Sequence, residues 1–132
     1  MALKKNSGRQ ELIVAHLIVG FADPAYGTAE KAIELPPNAV IVGGDVTVGT
    51  PWNSATTATL KLGDATDDDR YTPTPIDLKT AGRTALVPVG LKYSTLDFLT
   101  ALVAQTGAAA TAGSARIAIQ YYVEGRAAFA QG

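Results

Sequence analysis

The stretch Arg116-Ile117-Ala118-Ile119-Gln120-Tyr121-Tyr122-Val123 decides the fold. Its apolar side chains recur at every second residue, so Ile117, Ile119, Tyr121 and Val123 share one face of an extended strand. Thr56-Thr-Ala-Thr-Leu-Lys-Leu62 repeats the pattern, with Leu60 and Leu62 turned inward and Thr59 and Lys61 outward. Lys31-Ala-Ile-Glu-Leu35 also alternates, placing Lys31, Ile33 and Leu35 opposite Ala32 and Glu34. Glu11-Leu-Ile-Val-Ala-His-Leu-Ile-Val19 is a β-branched run ended by Gly20.

Between these strands the reading is less direct. Ala39–Val42 and Asp45–Val48 flank Gly43-Gly44, which predicts a bulge or sharp bend inside one long strand. Thr84–Val87 is a weaker strand candidate. Thr95–Ala104 fits either a helix, through Leu96, Leu99, Leu102 and Val103, or a strand, through Leu96, Phe98, Thr100 and Leu102. Turn signals such as Asp23-Pro24, Pro36-Pro37-Asn38, Gly49-Thr50-Pro51, Pro73-Thr74-Pro75 and Ala112-Gly113 recur roughly every 8–14 residues, the spacing of a sandwich or barrel. The expected fold is all-β: an antiparallel β-sandwich with at most one short helix. Its core takes Val40, Val42, Val46, Val48, Leu60, Leu62, Ile117, Ile119 and Tyr121. Residues 11–132 form this single domain, and residues 1–10 precede it as an extended arm.

Composition narrows the function. The 132 residues are 47% hydrophobic and 17% charged, with net charge −1. Eleven Lys and Arg against twelve Asp and Glu leave no basic excess for phosphate neutralisation, so nucleic acid is not an expected partner. No apolar run reaches the ~20 residues of a bilayer-crossing helix, so a membrane is not one either. The absence of cysteine removes disulfides, thiolate metal sites and cysteine nucleophiles, and is compatible with a reduced cytosol. Met1-Ala-Leu-Lys-Lys5 begins like a signal peptide, but Asn6–Glu11 interrupts it before an apolar region, so no export signal is expected.

Each chemically suggestive feature also has a structural reading. Asp64-Ala-Thr-Asp67-Asp68-Asp69 could wrap Ca²⁺, yet it lacks the alternating ligands, central glycine and terminal glutamate of an EF-hand loop. It reads as a solvated turn whose charge Arg70 partly offsets. His16 alone makes neither a triad nor a multi-histidine metal site, and faces solvent or a subunit neighbour. Among Glu11, Glu30, Glu34, Asp45, Asp77, Asp97 and Glu124, no pair stands out for acid–base work. Gly43-Gly44-Asp45 and Gly107–Gly113 match no phosphate-binding fingerprint. Trp52 is either a stacking platform or a core or interface residue. No catalytic, cofactor or metal residue is assigned. The interface candidates are Lys4, Lys5 and Arg9 on the arm, Trp52, and Arg126.

The order Leu35-Pro-Pro-Asn-Ala-Val40, Val46-Thr-Val48, Thr56–Asp64 with its Asp-rich turn, Asp77-Leu-Lys-Thr-Ala-Gly82 and Ala112–Arg126 resembles the capsid cement or decoration proteins of tailed bacteriophages. That resemblance implies a jelly-roll-like sandwich, made in the bacterial host cytoplasm. It would bind the outside of the major capsid protein shell as a homodimer or homotrimer and stabilise it. It carries over no active site. Related sandwiches serve as tail or head-fibre components, and a carbohydrate-binding module using Trp52 and the Asp64–Asp69 loop is the reading from another class. A hydrolase lacks any residue set.

Overall fold

A computed structural model describes Leu3 and residues 11–125. Nine strands follow in order: β1 (Leu12–Gly20), β2 (Ala29–Leu35), β3 (Ala39–Thr50), β4 (Thr57–Gly63), β5 (Ile76–Asp77), β6 (Gly82–Ala85), β7 (Lys92–Tyr93), β8 (Asp97–Thr106) and β9 (Ser114–Val123). No helix occurs among the described residues. Every pairing is antiparallel. One sheet runs β1-β9-β3-β6, with β7 also on β3, and the other runs β2-β8-β4-β5.

The pairs β4·β5, β3·β6, β2·β8 and β1·β9 trace one long hairpin, β1–β4 going out and β5–β9 coming back. Wrapping that hairpin brings β9 onto β3 and β8 onto β4, which completes two face-to-face sheets. With the two-residue β7 set aside, this is the double Greek key of a jelly roll.

The inner faces follow the two-residue period. Leu35, Val46, Leu62, Leu99, Ile117 and Ile119 are wholly buried, at 0% exposure. At about 25 cal/mol per Å² of apolar surface, each such side chain contributes roughly 1.5–3 kcal/mol to folding. The ambiguous Thr95–Ala104 segment is strand β8, and it turns Leu99, Ala101 and Val103 inward rather than the Leu96, Phe98, Thr100, Leu102 set.

β3 brings one correction. The register slips between Ile41 and Gly43, so a bulge sits beside the glycine pair as expected. That extra residue reverses which side chains face inward. Ala39 and Ile41 are core before the bulge, Val46 and Val48 after it, and Val42 is 43% exposed. Val40 is buried but lies outside the main core cluster. Gly44 takes φ 155°, and a Cβ there would stand 2.5 Å from the Ala118 carbonyl oxygen, so the bend requires glycine. Another bulge, at Ala32, breaks the expected phase of β2: Ile33 and Leu35 point inward while Lys31 is exposed.

Candidate functional site

The acidic turn is the most highly connected polar feature. β4 ends at Gly63, where a Cβ would meet the Asp67 carbonyl oxygen at 2.0 Å, so only glycine lets the following loop fold back over the strand. The Asp64 backbone N–H donates to the Asp67 carbonyl at 2.9 Å. Its carboxylate accepts the N–H groups of Thr66 at 3.0 Å and Asp67 at 2.9 Å. Arg70 Nε donates to Asp64 Oδ2 at 2.6 Å, and the Tyr93 hydroxyl donates to the same oxygen at 2.8 Å. Because the Tyr93 proton is committed to Asp64, the 2.5 Å contact between the Tyr71 and Tyr93 hydroxyls is donated by Tyr71.

Asp64 is therefore not solvated. It is 4% exposed, which corrects the expectation of a wet turn, although Arg70 does neutralise it as expected. Burial pulls its carboxyl upward, but the Arg70 and Tyr93 bonds with two backbone N–H groups outweigh burial and hold it below the ordinary carboxylate range. Burial is also the main reason the Tyr71 hydroxyl is raised above its ordinary value and the Tyr93 hydroxyl well above it. Nothing local in the sequence announces Tyr93, which arrives from a two-residue strand 29 positions away.

Beyond Asp64, carboxylate oxygens of Asp67, Asp68 and Asp69 lie within 4.8 Å of one another. The hydrogen bond with Asp67 and the negative charges around it raise the Asp69 carboxyl. With Asp64 already saturated, Asp67–Asp69 are the carboxylates left to a cation. Lys31 lines the same cleft as Asp67 and Asp68, with its ammonium 4.6 Å from the centre of the Phe98 ring.

Trp52 realises the core reading rather than the interface or platform one. It is 2% exposed at the corner between β3 and β4. Its indole Nε1 donates to the Tyr26 hydroxyl at 3.0 Å, and that hydroxyl donates to the Phe21 carbonyl at 2.5 Å. A Cβ on Gly113, where φ is 154°, would stand 2.5 Å from the indole ring, so Gly113 is fitted to the tryptophan. A sugar ring has no exposed Trp52 face to stack on. Lys4, Lys5, Arg9 and Arg126 lie outside the described residues.

The scattered carboxylates are engaged locally. Asp45 pairs with Arg83 at 2.7 Å, and Glu124 with Lys92 at 3.6 Å. Asp77 accepts from Lys79 and Thr80, Asp97 from the Phe98 N–H, and Glu30 from the Ala25 N–H. His16 stands exposed on the outer face of β1. No two of these carboxylates are brought together for acid–base work among these contacts.

The least satisfied surface is β1 itself. It forms the edge of its sheet, and no strand pairs with its outer side among the described residues. Leu12, Val14 and Ile18 point outward at 55%, 61% and 63% exposure. Its inward residues Ile13, Ala15, Leu17 and Val19 are only half-buried. The signal was present in the sequence as a run that is apolar on both faces.

No family model matches the chain, and no curated protein matches it either. Solved structures do match. A chain in the capsid asymmetric unit of cyanophage Pam1 shares 23% identity at TM-score 0.64, covering 93% of this chain and 91% of that one. A chain in the acid-stable capsid of Helicobacter pylori bacteriophage KHP30 shares 12% identity at TM-score 0.66, covering 89% and 93%. A chain in the capsid of Ralstonia phage GP4 shares 19% identity at TM-score 0.61, covering 96% and 92%. This sandwich is thus a fold present in phage capsids.

Proposed function

We propose that the protein is a structural component of a tailed-bacteriophage virion: a cement or decoration protein on the outside of the major capsid protein shell, made in the host cytoplasm. The observation that carries this reading is nearly end-to-end likeness to chains in three phage capsids, at TM-scores of 0.61–0.66. Each matched chain is also covered over 91–93% of its own length, so each is a sandwich of similar size rather than one domain of a large subunit. The side chains agree, since local pairing engages Asp45, Asp64, Asp77, Asp97 and Glu124, and β1 presents apolar area to the surface. Such a protein acts through surface burial and needs no catalysis or cofactor. Repeated attachment of a homo-oligomer supplies avidity that one weak contact lacks.

Co-sedimentation with expanded, DNA-free heads of a phage that encodes the protein tests the reading. Saturable binding to the shell exterior, with raised resistance of the heads to heating, is expected. Binding only to tails or fibres, or calcium-dependent retention on immobilised glycans, would overturn it.

A further inference from the structure

We propose that the acidic turn binds a calcium ion: the carboxylates of Asp67, Asp68 and Asp69 ligate it, and the buried Thr100 hydroxyl bonds to its hydration shell. The inference goes beyond the capsid reading and does not depend on it.

The carboxylates supply the charge and the spacing. Oxygens of the three consecutive aspartates lie within 4.8 Å of one another. Two oxygens bound to one calcium at ~2.4 Å stand at most ~4.8 Å apart, so one ion can span them. The basic side chains nearby are directed elsewhere. Arg70 is committed to Asp64, and the Lys31 ammonium stands over the Phe98 ring. Among the described residues, no lysine or arginine forms an ion pair with any of the three.

Thr100 gives the independent sign of a ligand. It sits opposite Gly63 in the β4–β8 register, so its side chain shares the outer face with the side chain that Gly63 lacks. The turn fills that vacant place, since a Cβ on Gly63 would stand 2.0 Å from the Asp67 carbonyl oxygen and 2.5 Å from the Asp68 carbonyl carbon. Thr100 is thereby set beside the aspartates. It is 8% exposed and lines the same cleft as Asp67 and Asp68. Its Oγ1 has no hydrogen-bond partner among the described residues. Buried hydroxyls are almost always paired, and a cation-bound water donating to Oγ1 supplies the missing partner.

The same geometry selects the ion. Three adjacent residues on an irregular turn cannot impose the octahedron that magnesium demands, whereas calcium accepts six to eight oxygens in flexible arrangements. The cleft is open and holds about 560 Å³. At ~30 Å³ per water it admits the hydration waters that complete the shell.

The test uses the full chain, stripped with EDTA and dialysed. Calorimetric titration with calcium chloride is expected to give one ion per chain with Kd on the order of 0.1–1 mM. Calcium at 10 mM should raise the melting temperature by about 5 °C, beyond sodium chloride of equal ionic strength and beyond magnesium. Asp68→Asn keeps the side chain's shape, and should weaken calcium binding at least tenfold while melting in EDTA within about a degree of the native chain. Thr100→Val removes only the unpaired hydroxyl. It should weaken binding about three- to tenfold yet melt no lower than the native chain in EDTA, an outcome that a purely structural threonine would not give. No binding at 10 mM calcium overturns the proposal, as does a shift matched by sodium chloride or native calcium affinity in either variant. Should Asp68→Asn fail to fold, Thr100→Val decides alone.

Discussion

Around Asp64 the sandwich is finished, whereas along β1 it is left open. In the first region a buried carboxylate, two tyrosine hydroxyls, a guanidinium and two backbone N–H groups satisfy one another within 3.0 Å for the principal contacts. In the second, the inward side chains are half-buried and the outward ones are 55–63% exposed at Leu12, Val14 and Ile18. The same chain closes one side with directional bonds that satisfy its buried carboxylate, and leaves on the other an apolar area that the described residues do not cover. Directional polar bonds and uncovered apolar area therefore fall in different parts of the molecule.

The largest expected effect breaks the closed side. Asp64→Ala leaves Arg70 and Tyr93 facing a vacated, mostly buried position, and should cost about 3 kcal/mol in urea unfolding. Tyr93→Phe removes the hydrogen bond to Asp64 and the acceptor of the buried Tyr71 hydroxyl, and should cost about 2–3 kcal/mol by the same measurement. Val14→Ser should change stability by less than ~0.5 kcal/mol in the same measurement, which separates the two regions directly.

The acid and alkaline limbs sharpen the comparison further. The folded Asp64 carboxyl titrates below its unfolded value, so its stabilisation is present above about pH 4 and is lost as pH falls through the lowered folded value. The Tyr71 and Tyr93 hydroxyls are raised in the fold, so their contribution is intact below about pH 10 and declines as pH rises beyond it. Melting curves from pH 2 to 11 should show both losses, and Asp64→Asn should flatten the acid limb.

Smaller effects concern the termini and the acidic turn. Deleting Met1–Arg9 should leave a folded sandwich by circular dichroism but weaken association or shell binding roughly three- to tenfold, since exposed ion pairs are worth only about 0–1 kcal/mol each. Equal decoration by the truncated chain would make the arm merely a frayed end. Melting with and without EDTA should agree within about a degree if Asp67–Asp69 hold no cation, because a ligand bound only to the folded state must raise the transition.

Long alternating strands were legible in the sequence because their pattern is local: Ile117, Ile119 and Tyr121 in β9, and Leu60 and Leu62 in β4, face inward as read. Val42 was misplaced because a bulge is visible as a glycine pair, but the residue that absorbs the slip depends on the partner strand. β5 and β7, two residues each, are too short to carry any period. The Asp64–Tyr93 bond joins a turn to a strand fragment with no shared motif, so the turn read as wet. Conversely, the openness of β1 was written in its composition, and only its place at the edge required the structure.

Leu12 lies directly across from Tyr122, so the two ends of the described chain leave the sandwich at one corner. For an engineer this makes the protein a natural circular permutant: a short linker from Gly125 back to Glu11 would join neighbours, and new ends could open in the Gly107–Gly113 loop. It also means that a purification tag or displayed cargo joined directly to Glu11 or Gly125 emerges beside β1. A bulky fusion would crowd that strand, while the same cargo inserted at Gly107–Gly113 would start from the opposite end of β9.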